Sequence, residues 1–225
     1  MKRTSIFICT IALLISMLAC SLPFVTGPRL IVTLAPAPGL PPLDTAWLAM
    51  ERDVLLSRLK SIGVANVTVT VSSDGTFLVS LPESADLEAI SPLITETGYL
   101  IFVDSTSPFP AGASVDVNLE VILTGADINS ADVTSNSLGG WQIAITFTPE
   151  GDQEMADYSS KNIGHYLIIA RDGVVISSPQ VNAAITEGKA VIDGSFTLES
   201  ATALAIQLTS GSLPFPLVIL KTETK

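Results

Sequence analysis

Residues 171–216 read RDGVVISSPQVNAAITEGKAVIDGSFTLESATALAIQLTSGSLPFP, and most of the fold's punctuation lies in them. Arg171-Asp172-Gly173-Val174 predicts a tight hairpin, because Asp and Gly tolerate the positive φ values that a two-residue turn between twisted strands requires. Val174, Val175 and Ile176 run back, Pro179 closes the strand, and a second hairpin is expected beyond it with Glu187-Gly188 at its tip. Thr197 is placed to cap a helix whose Ala201, Leu204, Ala205 and Leu208 recur at helical spacing, and Gly211 stops it. Pro214 and Pro216 then flank the exit into a final strand at 217–221.

Working upstream, Tyr166 to Ala170 forms the first arm of the Asp-Gly hairpin. Thr148-Pro149-Glu150 opens a helix with an N-cap, a proline at the first helical position and acids in the first turn. Met155, Tyr158 and Ile163 are its expected core residues. Residues 141–147 alternate large apolar with polar side chains, as a strand with one buried face does. The Ser/Pro/Gly-rich segment 105–112 is the strongest internal break.

Before that break, Asp44 caps a helix that carries Leu48, Leu55, Leu59 and Ile62 on one face, with Arg52, Arg58 and Lys60 expected towards water. A hairpin turning at Ser72-Ser73-Asp74-Gly75 follows. Next come a short helix over 85–95 that contains Pro92 and a strand at 99–103. With 29–34 as a first strand, the order is βαββαβ. The expectation is therefore an α+β chain of two ferredoxin-like (split βαβ) subdomains, the second with an extra β-hairpin. The segments are a lipoprotein-type signal peptide at 1–20 and a Pro-rich spacer with the first strand at 21–43. A first subdomain at 44–104, a linker at 105–112 and a second subdomain at 113–225 complete the chain.

Lys2 and Arg3 precede an apolar run over 6–19, the pattern of a secretory signal. Met17-Leu18-Ala19-Cys20 resembles a lipobox, which makes Cys20 the candidate lipidation site and anchor to the outer face of the membrane. An uncleaved signal anchor over 5–25 and a freely secreted form are the alternatives, and all three export the rest of the chain. Both cysteines, Cys9 and Cys20, lie in this region, so the remaining chain has neither disulfide nor thiolate metal site. Eleven basic residues against 22 acidic ones among 225 give a net charge of -11. Such a surface repels phosphate and argues against nucleic acid as a partner.

Several of these motifs resemble the first extracytoplasmic domain of the SecD family. Leu123-Thr124-Gly125-Ala126-Asp127-Ile128 is similar to the Leu-Thr-Gly-x-Asp-Leu opening of the family's head region. Phe147, Glu150, Gly151, Asn162, Ile163 and Gly164 stand where it has F-x-x-E-G and N-I-G. The runs 172–179, 192–197 and 211–216 resemble D-G-x-V-I-S-x-P, I-x-G-x-F-T and G-x-L-P-x-P. Arg58 to Val64 and Leu81-Pro82 resemble the family's earlier R-x-x-x-x-G-V and Leu-Pro. The family's Gly-Leu-Asp-Leu-x-Gly-Gly entry is replaced by the Pro-rich run. The resemblance implies an exported, detached version of the head-bearing domain, without the proton-coupled spans of SecD.

Candidate chemistry is sparse. His165 is the single histidine, and a catalytic dyad or zinc site needs partners that its neighbourhood in the sequence does not supply. Asp152, Glu154 and Asp157 cluster at a helix start, where the helix dipole accounts for them. Asp172 and Asp193 belong to turns. No catalytic residue, cofactor or metal is expected. With a mean hydropathy of +0.53, large apolar side chains outside the core are the more promising feature, and Trp141, Phe215 and Phe109 are the candidates for contact with a peptide. The expected function is a non-enzymatic, membrane-anchored, extracytoplasmic module whose partners are exported polypeptides or envelope proteins. The alternative is a structural envelope lipoprotein that keeps the fold without a Sec-related role.

Overall fold

The computed structural model describes residues 27–115, 119–137 and 139–225. Cys20 and the signal region lie outside the described residues. The described residues are α+β, with three antiparallel sheets arranged in two lobes.

The first lobe is one sheet covered by two helices. β1 (Arg29–Pro36) pairs with β3 (Phe77–Pro82), which forms a hairpin with β2 (Thr68–Val71). Gly75 turns that hairpin at φ +83. Val32 and Leu34 on β1 and Phe77, Val79 and Leu81 on β3 alternate inwards and are fully buried. They meet Leu55 and Leu59 of α1 (Thr45–Ser61) and Ile90 and Ile94 of α2 (Leu87–Thr95). The Asp44 and Asp86 side chains cap these helices by accepting from backbone N–H groups of the first turn. α2 keeps Pro92 inside it and spans nine residues.

Three expectations are corrected here. The strand expected at 99–103 as the fourth member of this sheet is β4 (Leu100–Ser105), and it belongs to the second lobe. Its place is filled by the last strand, β11 (Leu217–Thr224), which returns to pair with β1 and gives the order β11-β1-β3-β2. The third correction concerns Arg58, expected towards water, which is 0% exposed.

In the second lobe β4 lies between β5 (Val121–Thr124) and β8 (Tyr166–Arg171), and β8 turns into β9 (Val174–Ser177) through Asp172 and Gly173 at φ 51 and 79. A separate sheet holds β6 (Ile128–Ser135), β7 (Trp141–Phe147) and β10 (Lys189–Phe196), with β7 central. The single split-βαβ sheet expected for this half is thus two sheets. The second hairpin does not form either, because β10 pairs with β7, where Ile192 faces Ile143 and both are fully buried. The Glu187-Gly188 turn instead feeds that pairing, with the Gly188 carbonyl accepting from the Phe147 N–H.

α3 (Pro149–Lys161) and α4 (Leu198–Ser210) complete the core of this lobe. Met155 and Tyr158 point inwards as expected, whereas Ile163 is 60% exposed. Ala201, Leu204, Ala205 and Leu208 all face the core. The 105–112 break lies inside this lobe. Together with the residues after it, it covers the outer face of the β4–β8–β9 sheet, where Phe109 and Ala113 pack on Val103, Ile168 and Val175. The motifs at 123–128 and 147–151 meet here. Thr124 and Asp127 cap a short 3-10 turn, the Asp127 carbonyl accepts from Thr148 N–H, and a Cβ on Gly151 would stand 2.6 Å from that carbonyl oxygen.

Candidate site between the lobes

The described residues cross between the lobes twice, at 96–99 after α2 and at 211–216 after α4. Arg58 reaches both crossings. Its Nη1 donates to the carbonyls of Leu93 at 3.0 Å and Glu96 at 2.9 Å. Nη2 donates to Thr97 O at 2.6 Å and Gly211 O at 2.8 Å, and Nε also donates to Gly211 O at 3.3 Å. Burial pushes the guanidinium down to about 10, and it remains charged at neutral pH. The crossings also bond to each other, Leu213 N–H to Thr97 O at 2.8 Å.

Asp172 holds the first crossing from the opposite side. Its carboxylate accepts from Gly98 N–H at 3.1 Å, from Tyr99 N–H at 3.0 Å and from the Thr97 hydroxyl. Arg171 adds an ion pair to Glu96 at 3.5 Å. Gly98 is required twice over: its φ is +67, and a Cβ would stand 2.8 Å from Gln207, itself buried beside the crossing. The Asp-Gly turn therefore closes a hairpin and also fixes the inter-lobe connection.

Glu51 lies on the same stripe of α1, two turns before Arg58, and is fully buried. One carboxylate oxygen accepts from Phe215 N–H at 3.4 Å, and the other has no protein partner. Burial pushes its pKa up to about 8, outweighing the hydrogen bond and the attraction of Arg58.

Beside this junction runs an apolar groove of about 400 Å³. One wall is α2, through Ala89, Ile90 and Leu93; the other is α4, through Leu198, Thr202 and Ile206. Ile62 and Val64 extend it from the end of α1, and Asp86 and Glu199 bring carboxylates to its lining. Leu198 is 47% exposed there.

The residues singled out from sequence are placed differently. Phe215 is corrected from a surface contact to a core residue: it is 4% exposed, with its ring 6.5 Å from that of Phe77. Trp141 is half-buried against the second lobe's core, and Phe109 is half-buried within the 105–112 segment, against the β4–β8–β9 sheet. The exposed tryptophan is Trp47, which with Met50 lies on the outer side of α1. Glu154, Asp157 and Asp193 are exposed, and Glu150 and Asp152 stand in the first turn of α3.

His165 does have a partner. Its Nδ1 lies 3.0 Å from Asp104 Oδ1, which also accepts from the Tyr158 hydroxyl at 2.7 Å. Burial and this carboxylate hold the Tyr158 phenol above its ordinary range, so it stays protonated. The pair was hidden because Asp104 precedes His165 by 61 residues. Among the described residues no hydrogen bond to His165 Nε2 is present, and no cluster of three or more His, Cys, Asp or Glu side chains could hold a metal.

With this geometry in place, comparison with known proteins decides the family. The model of the SecDF P1 head subdomain matches residues 103–215, about half of the chain. The chain belongs to the SecDF P1 head family. Protein translocase subunit SecD of Dictyoglomus turgidum is 33% identical over 76% of this chain and 40% of its own length. SecDF of Thermus thermophilus is 31% identical over 80% of this chain and 28% of its own. The chain thus spans less than half the length of these relatives. SecDF solved in a super-membrane-facing form superposes with a TM-score of 0.77 at 28% identity, covering 87% of this chain and 30% of that one. A structure of SecDF described as a membrane component that enhances protein export gives a TM-score of 0.71 at 28% identity, covering 85% and 98%. No helix among the described residues is long and apolar enough to cross a membrane.

Proposed function

We propose that this SecDF P1 head family protein is a non-enzymatic, extracytoplasmic module of protein translocation that binds apolar segments of exported polypeptides in the groove between α2 and α4. The observation that carries this reading is the groove itself, an apolar channel whose walls come from different lobes. Burying apolar side chains there contributes about 25 cal/mol per Å² of transfer free energy, offset by the entropic cost of association. The carboxylates of Asp86 and Glu199, in a chain of net charge -11, favour a segment flanked by lysine or arginine. Anchoring through the N-terminal segment, with Cys20 as the lipidated residue, keeps the module beside the membrane from which the polypeptide emerges. Trp141, half-buried on the second lobe, is a further peptide contact in this reading.

Filling the groove tests the proposal. Ala203→Trp projects a ring into the groove from a partly buried lining position of α4. Affinity for a fluorescein-labelled unfolded peptide with a leucine-rich centre and lysine flanks should fall at least tenfold in fluorescence anisotropy, with circular dichroism unchanged. Equal affinity in the folded variant would remove the groove from the mechanism.

A further inference from the structure

We propose that Arg58 is the positioning residue of this groove, setting the separation of its two walls by pinning the C-terminal ends of α2 and α4 to α1. The inference deepens the binding-site reading above and rests on it for the meaning of groove width.

An arginine side chain carries five N–H donors in a planar fork. All five hydrogen bonds of Arg58 end on backbone carbonyls, and none goes to a carboxylate. The acceptors belong to two segments. Leu93, Glu96 and Thr97 are the last turn of α2 and the residues after it, and Gly211 is the residue that stops α4. Helix C-termini leave carbonyls without partners and carry partial negative charge, so one buried cation satisfies both ends together. The same two helices wall the groove, α2 from Ala89 to Leu93 and α4 from Leu198 to Ile206, and α1 contributes Ile62 beside Arg58's own last turn. The three elements that shape the groove therefore converge on one guanidinium.

The walls differ in what else holds them. α2 packs with α1 on the first lobe's sheet, whereas α4 packs on the core of the second lobe. Direct polar links across α2 and α4 are few: the Gln207 amide donates to Pro92 O at 3.4 Å, and its other amide atom, Oε1, has no partner. On the α1 side the Ser61 and Ser210 hydroxyls lie 3.3 Å apart at the surface. Lysine would keep the charge of Arg58, but its point-like ammonium has three donors and no fork, so it cannot hold both segments in the same register. Arg58→Lys should release one wall while leaving a cation in place.

The test uses the full chain with Cys9→Ser and Cys20→Ser, spin-labelled at Ala89 and Thr202 on opposite walls. Electron–electron distance measurements should show one narrow separation with Arg58 and a broadened distribution with Arg58→Lys. In the unlabelled chain, affinity for the lysine-flanked peptide should fall about tenfold with Arg58→Lys. In a parallel unlabelled chain, Ser61→Cys and Ser210→Cys form a disulfide that ties α1 to the end of α4 and takes over the pin. Oxidation should restore affinity to Arg58→Lys, and reduction should remove it again, a reversal that general destabilisation does not produce. If Arg58→Lys folds only when bridged, the bridged protein is reduced after folding and the loss is read then. An unchanged wall separation with unchanged affinity in Arg58→Lys would overturn the proposal. Should the native chain not bind the peptide, the binding reading fails, and the wall separation alone decides the role of Arg58.

Discussion

The core of the second lobe and the junction between the lobes are buried to the same degree and built from opposite materials. Leu204, Ile143, Ile192 and Met155 lie in a chiefly apolar core, where the fully buried Ser159 and the Tyr158 hydroxyl are both hydrogen-bonded. At the junction Arg58, Glu51 and Gln207 are buried to 1% exposure or less. There, specificity rests on one fork of hydrogen bonds, with Glu51 Oε1 and Gln207 Oε1 left without protein partners. An apolar core tolerates small shifts, because dispersion and hydrophobic burial have no direction. A buried cation bound to four carbonyls holds one geometry or loses most of its stabilisation. The contrast marks the junction as the place where the relative position of the lobes is specified.

The largest effect that would break this contrast comes from removing the fork. Arg58→Met leaves the carbonyls of Leu93, Glu96, Thr97 and Gly211 without their donor, and stability should fall by about 3–5 kcal/mol in urea unfolding. Leu204→Ala, in the apolar core, should cost about 2–4 kcal/mol while leaving peptide affinity in the native state unchanged. If both substitutions altered affinity equally, the distinction between the regions would be lost.

A third test is pH. Glu51 has a pKa raised to about 8 in the folded protein, against an ordinary 4.5, so between these values the folded state keeps a proton that the unfolded chain has released. The contribution of Glu51 to stability should therefore be full below pH 4.5, be lost as pH rises from there through 8 and level off above it, by on the order of a few kcal/mol. Glu51→Gln should flatten that decline, and an unaltered pH profile in the variant would assign it to other groups. The smallest effect is expected at Asp172→Asn, which keeps a residue tolerant of φ 51 but weakens the bonds to Gly98 and Tyr99. A loss of about 1 kcal/mol should appear, with faster hydrogen exchange at those two amides.

Local structure was legible in the sequence wherever one residue type answers a local need. Thr148, Thr197 and Asp44 cap their helices, and Asp172-Gly173 takes up positive φ. Pairing between distant strands was not legible. β4 and β11 have interchangeable apolar patterns, and nothing local says that β11 returns across the chain to pair with β1 while β4 leaves for another sheet. The junction carried a signal of a different kind. Leu48, Glu51, Leu55, Arg58 and Ile62 follow one another at alternating spacings of three and four, so two charges sit within the apolar stripe of α1. Charged residues at stripe positions point to a buried polar contact, and that contact is the candidate site. Phe215 misled for the converse reason, since a chain with so many large apolar side chains suggests that some of them lie at the surface, whereas the Phe215 backbone and ring are both held inside the first lobe.

The most direct test of the account is site-specific photocrosslinking during export. A photoreactive side chain at Ala203, in the groove, is compared with one at Lys221, on the exposed edge strand β11. The account predicts capture of a translocating polypeptide from Ala203 and little from Lys221, with Arg58→Lys reducing the Ala203 product. Equal capture from both positions, or capture from Lys221 alone, would contradict it.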